Sequence, residues 1–129
     1  MLLVYVGGDL PLKAVILIQE RKAACLLESQ IQMLGNMHET VAFPDSRKAL
    51  QYLEENPADA VFLDVDEETD WQSFCGKVKY ADKRIELVLL SGNPLNAVKA
   101  FDAGAFDFLP KPVEPERLAK AIDRFAISS

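Results

Sequence analysis

Five short apolar runs, Ala14 to Ile18 (AVILI), Glu39 to Phe43 (ETVAF), Ala60 to Asp64 (AVFLD), Glu86 to Ser91 (ELVLLS) and Ala105 to Leu109 (AFDFL), recur between longer segments of helical periodicity. That succession is the pattern of strands alternating with helices, and so of a parallel sheet covered on both faces. The runs lack a polar and apolar alternation, as strands buried on both faces do. With 129 residues, half of them apolar, the chain can bury such a core without metal or disulfide staples. There is no internal repeat, low-complexity tract or Pro- or Gly-rich linker to divide it. The expectation is one doubly wound α/β domain.

The segments between the runs read as helices. Ala24, Leu27, Ile31 and Leu34 form a stripe at helical spacing, which Gly35-Asn36 is expected to end in a left-handed stop. Asp45-Ser46 caps a second helix with Ala49, Leu50 and Leu53 inward, and Asn56-Pro57 closes it. A third, less regular helix covers about 70–81. Pro94 opens a fourth that carries Ala97, Val98 and Phe101 before Gly104 closes it. Pro115 opens the last, whose stripe is Leu118, Ile122 and Phe125.

A net charge of -6 argues against a nucleic-acid-binding surface, which needs clustered Lys and Arg. Cys25 and Cys75 lie far apart without CxxC spacing, so both are expected to be buried thiols rather than disulfide or zinc ligands. No apolar stretch is long enough to cross a bilayer, and the N-terminus lacks the basic lead and cleavage site of a signal peptide, so a cytoplasmic location is expected. LLVYVGGD near the start has high β-propensity and is expected to add a strand to the sheet edge or to pair with a second copy in a homodimer. On this reading 1–12 is an N-terminal extension and 13–129 the domain.

In an open doubly wound sheet, ligands bind outside the carboxyl ends of the strands. Those ends carry Gln19 and Glu20, then Asp64, Ser91 and Lys111. Asp64 follows Val61, Phe62 and Leu63 directly and leaves the core with little freedom. Taken alone it reads as a turn cap. Beside a cation, a rigid carboxylate suits nucleophilic attack on a phosphoryl group. Such a transfer calls for a divalent cation with hard oxygen ligands, which Glu20, Asp64 and the backbone carbonyl near Asp66 would supply. Lys111 would neutralise phosphoryl oxygens and Ser91 would donate a hydrogen bond to one. Ser91 before Gly92-Asn93-Pro94 also reads as an ordinary turn residue. Lys111 between Pro110 and Pro112, with the backbone fixed on both sides, is harder to read as a merely solvated lysine.

In AVFLD, LLSGN and AGAFDFLPKPVEPERLAKAI the chain resembles the receiver domain of bacterial two-component response regulators, from about Lys13 to the C-terminus. AVKAFDAGAFDFLPKPV is especially similar to receivers of LytTR-type transcriptional regulators. The resemblance implies a flavodoxin-like five-stranded parallel sheet in the order 2-1-3-4-5 and a signalling domain rather than an enzyme. Asp64 would be the phosphate acceptor, Ser91 and Lys111 the phosphoryl contacts, and Phe108 the aromatic that turns inward when phosphate is bound. A sensor histidine kinase would supply the phosphate, Mg2+ would assist, and the surface of the fourth helix, fifth strand and fifth helix would pass the signal to an output domain or partner.

Two departures stand against that pattern. Gln19-Glu20 replaces the family's pair of aspartates, which removes one charge, lengthens the other ligand and weakens magnesium binding. The loop after Asp64 reads VDEETDWQSF, and its Asp66, Glu67, Glu68 and Asp70 are expected to face water as charge runs do. These departures motivate an alternative, a pseudo-receiver that docks partners without phosphorylation. A third class, a small flavodoxin-like cofactor binder, lacks a phosphate-cradling loop and has only His38 as a neutral-pH base.

Overall fold

The computed structural model describes residues 12–35 and 38–128, apart from the side chains of 126–128. The expected N-terminal strand lies outside the described residues, as does Asn36. Among the described residues the chain alternates strictly: β1 (Lys13–Leu17), α1 (Arg21–Met33), β2 (Glu39–Phe43), α2 (Ser46–Glu55), β3 (Ala60–Asp64), α3 (Trp71–Ala81), β4 (Glu86–Ser91), α4 (Asn96–Asp102), β5 (Asp107–Pro110) and α5 (Pro115–Ser128). The strands form one parallel sheet in the order β2-β1-β3-β4-β5.

The strand parity sorts the core into two layers. Val15, Leu17, Val61, Leu63, Leu87, Leu89 and Phe108 face α2, α3 and α4 with Trp71, Phe74, Cys75 and Val78. Ala14, Ile16, Phe62, Val88, Leu90 and Leu109 face α1 and α5, meeting Leu27, Ile31, Leu118 and Ile122. Each fully buried Leu, Ile or Phe in these layers is worth about 1.5–3 kcal/mol over its exposed state. β3 is buried along its whole length, which explains why AVFLD shows no alternation.

Local chemistry accounts for the helix ends. Asp45 accepts from the Lys48 N–H at 2.9 Å and so caps α2. Gly104, at φ +88°, takes the left-handed conformation that stops α4. α1 ends differently from expectation. Leu34 stays right-handed and Gly35 does not adopt a positive φ. Gly35 is needed for space, since a Cβ there would lie 2.8 Å from His38 Nε2.

Two further expectations are corrected. Cys25 is exposed, because it sits one position beyond Ala24 and therefore about 100° around α1 from the inward stripe. Along α4, which the sequence expected to carry them, Val98 and Phe101 are exposed, at 69% and 54%, while Ala100 seals the helix onto the sheet. β5 begins two residues later than AFDFL suggested, since Ala105 still bonds back to the carbonyl of Ala100 in closing α4. The α5 stripe is as expected: Leu118 and Ile122 are buried, and Phe125 packs on Phe106 with ring centroids 4.5 Å apart.

α5 is fastened to the sheet by charge as well. Asp107, 3% exposed in β5, pairs with Arg117, whose Nη1 lies 3.0 Å from Oδ2, and with Arg124 at 3.2 Å. The carboxylate holds the Arg117 guanidinium above its usual pKa.

Candidate functional site

Asp64 ends β3 opposite Leu90 of β4, with 5% of its surface exposed. Its two oxygens do different things. Oδ1 accepts the Asp66 N–H at 2.9 Å, which is the turn cap, and Oδ2 accepts from Lys111 Nζ at 2.6 Å. The two roles read from the sequence are therefore compatible in one side chain.

Lys111 leaves β5 with its N–H on the Ser91 carbonyl at 2.9 Å, and the following Lys111–Pro112 peptide is cis. Its ammonium also reaches Asp66 Oδ2 at 3.0 Å. Burial works against the charge, but the bonds to Asp64 and Asp66 outweigh it and hold the ammonium above its usual pKa.

The Asp66 carboxylate is the feature that sequence reasoning missed. The loop charges were expected in water and Asp66 entered only through its backbone carbonyl, yet the side chain turns over the end of β4. Oδ1 takes the Ser91 hydroxyl at 2.6 Å, and Oδ2 takes the Gly92 N–H at 2.8 Å together with Lys111. Partial burial pushes the carboxyl up, but Gly92, Ser91 and Lys111 pull it below its usual range. The reason it turns inward is a local surplus of donors: a hydroxyl, an amide and an ammonium stand at two neighbouring strand ends, and a tethered carboxylate answers all three. The spacing of two residues from Asp64 was the available signal. Ser91, 1% exposed, also accepts from the Asn93 N–H at 3.0 Å and from Asn96 Nδ2 at 3.1 Å, so it is a turn residue as well.

Glu67 is engaged as well. Its Oε1 accepts the Gln19 N–H at 2.9 Å and its Oε2 the Glu20 N–H at 3.2 Å, while Gln19 Nε2 donates to the Glu67 carbonyl at 3.2 Å. Glu20 in turn spends both carboxylate oxygens on the N-terminus of α1, on the Lys22 N–H at 3.1 Å and the Ala23 N–H at 2.7 Å. Every carboxylate read as a metal ligand is thus bonded to donors. Among the described residues no group of three or more His, Cys, Asp and Glu side chains is gathered to hold a metal. This donor set fits a magnesium shell poorly as it stands.

Phe108 points into the layer shared with Leu89 and Ala100 and is 8% exposed. A groove of about 240 Å³ between α1 and the β5–α5 connection, lined in part by Leu26, Gln30, Pro112 and Val113, opens onto Asp64 and Lys111. His38 is remote from this edge: it is buried just ahead of β2, with Nδ1 accepting the Leu12 N–H. Among the described residues no helix is long and apolar enough to cross a membrane.

Comparison with known proteins agrees with this fold. The chain is 31% identical over 109 residues to an uncharacterised response regulatory protein of Vibrio cholerae, covering 82% of this chain and 43% of that protein. It is 25% identical over 104 residues to Protein MrkE of Klebsiella pneumoniae, covering 77% and 39%. It therefore spans about two fifths of the length of these relatives. A crystal structure of a response regulator from Chloroflexus aurantiacus superposes with a TM-score of 0.80 at 24% identity, covering 91% of this chain and 98% of that one. The family model for the response regulator receiver domain matches residues 15–123, and the chain belongs to that family.

Proposed function

We propose that this domain receives a phosphoryl group on Asp64 from a sensor histidine kinase and thereby changes a protein-docking surface. The observation that carries the reading is the 2.6 Å contact of Lys111 Nζ with a nearly buried Asp64 at the carboxyl edge of the sheet. In the proposed step an Asp64 oxygen attacks the phosphorus of a phosphohistidine, the N–P bond breaks, and the imidazole nitrogen leaves with the bonding pair. Lys111 balances the oxygens of the acyl phosphate, and the Ser91 hydroxyl donates to one of them. The groove beside α1 gives a kinase helix a route to the carboxylate. Since the carboxylates are already bonded, no step is assigned to Mg2+, and its binding is expected to be weak.

The output surface on this reading is α4, β5 and α5, where Leu95, Val98 and Phe101 are exposed apolar side chains. An output domain of the LytTR type, and with it transcription regulation, is one partner class consistent with the sequence, and pairing with a second copy is another. Incubation with acetyl phosphate across a range of Mg2+ concentrations tests the acceptor. The wild type is expected to gain one phosphoryl mass and Asp64→Asn none. Equal behaviour of the two would sink the reading. A docking module that works unmodified is the second reading, favoured by the engagement of Glu20 in the α1 cap.

A further inference from the structure

A phosphoryl group on Asp64 would bring a charge of about -1.5 to -2 and three strong acceptor oxygens. The groups placed to receive them are the Ser91 hydroxyl, the Gly92 N–H and the Lys111 ammonium. All three converge on the carboxylate of Asp66, at 2.6, 2.8 and 3.0 Å. We propose that Asp66 is a built-in occupant of the phosphoryl site, which in the unmodified domain biases Ser91 and Phe108 part of the way toward the partner-binding arrangement that a phosphoryl group on Asp64 completes. The inference rests on the reading of Ser91 and Lys111 as phosphoryl contacts.

The chemistry of the match is specific. A carboxylate offers two oxygens and about four lone-pair directions, enough for one hydroxyl, one amide and one ammonium. Charge-assisted bonds of this kind are roughly twice as strong as neutral ones. Asp66 is also tethered two residues from Asp64 by a turn that Asp64 itself caps. Its effective concentration at the donors is therefore high, and an incoming phosphoryl group must displace it. The switch elements stand accordingly: Ser91 is tied to an anion, and Phe108 is turned inward at 8% exposure. Glu67 and Glu68 follow directly in the chain, but Glu67 is committed to the Gln19-Glu20 backbone, so Asp66 is the acid that reaches the donors.

The test uses the whole chain and compares wild type, Asp66→Ala and Asp66→Asn by NMR of the Phe108 ring and of α4 amides, away from the mutated residue. Because Asp66 is exposed at the residue level, these variants are expected to fold. Asp66→Ala is expected to move the Phe108 and α4 signals, and magnesium with beryllofluoride is expected to move them back past the wild-type positions. The beryllofluoride midpoint should fall about ten-fold from wild type to Asp66→Ala, the change that about 1.4 kcal/mol of lost competition produces. Unchanged Phe108 and α4 signals in Asp66→Ala overturn the proposal, even if both proteins bind beryllofluoride. If Asp66→Ala moves those signals but Asp64 answers no beryllofluoride at any magnesium concentration, the occupant stands and the acceptor reading of Asp64 fails.

Discussion

Lys111 holds Asp66 at 3.0 Å while its ammonium also lies 2.6 Å from Asp64, so one cation bridges two carboxylates that would otherwise repel. Replacing it by Met is expected to cost about 1–3 kcal/mol, because the nearly buried Asp64 loses a charged partner. Asp66→Asn should be destabilising in the wild type and stabilising in the Lys111→Met background, since the repulsion is then uncompensated. A urea double-mutant cycle at pH 7 reads the sign change, and additive effects would show that the three groups do not act together.

The two thiols should behave as opposites. Cys25 is exposed, whereas burial pushes the Cys75 thiol up to about 11. At pH 8 the thiolate fraction of Cys75 is then about one in a thousand. Treatment of the folded protein with an aromatic disulfide reagent is expected to release one equivalent rapidly and the second only in denaturant. Mass mapping of the first adduct to Cys75 would contradict the burial argument.

His38 makes stability depend on pH. Burial lowers its pKa from the ordinary 6.5, and its Nδ1 must stay unprotonated to accept the Leu12 N–H at 3.0 Å. A lowered folded pKa means that the unfolded chain binds the proton more readily. The contribution is therefore complete above about pH 6.5 and is lost as the pH falls through the folded value. His38→Phe is expected to lose about 1 kcal/mol at pH 7.5 through the orphaned Leu12 N–H. It should also lose less than the wild type on going to pH 5.5. Parallel urea midpoints at the two pH values would refute this.

The Asp107 pairs predict an asymmetry. Arg117→Leu removes two hydrogen bonds from a carboxylate that is 3% exposed and should cost about 2 kcal/mol. Arg124→Leu, whose side chain is half exposed, should cost less, although it also gives up the guanidinium stacked 4.5 Å from the centre of the Phe106 ring. Urea unfolding of the two variants checks the order.

What the chain shows of itself before folding follows from which interactions are periodic. Burial of β3 and the stripes of α1, α2 and α5 repeat along the sequence and so announce themselves. The caps at Asp45 and Gly104 are local and equally visible. Cys25 was not legible in the same way because it lies just off the inward stripe of α1, and residue type alone does not tell which side of a helix a thiol faces. Asp64, Ser91 and Lys111 were legible as strand ends, since topology alone brings them to one edge. The engagement of Asp66 and Glu67 was not, because it depends on partners 25 and 48 residues away and on a donor surplus that exists only after the sheet forms.

The Glu67 clamp has a consequence for exchange kinetics. Gln19 and Glu20 are exposed and belong to neither strand nor helix, yet their amides donate to a single carboxylate on the opposite loop. Their deuterium uptake should be slow for surface amides and should quicken together when Glu67 is neutralised. The β1–α1 and β3–α3 loops are thereby one mechanical unit, so that a force on either is felt by both.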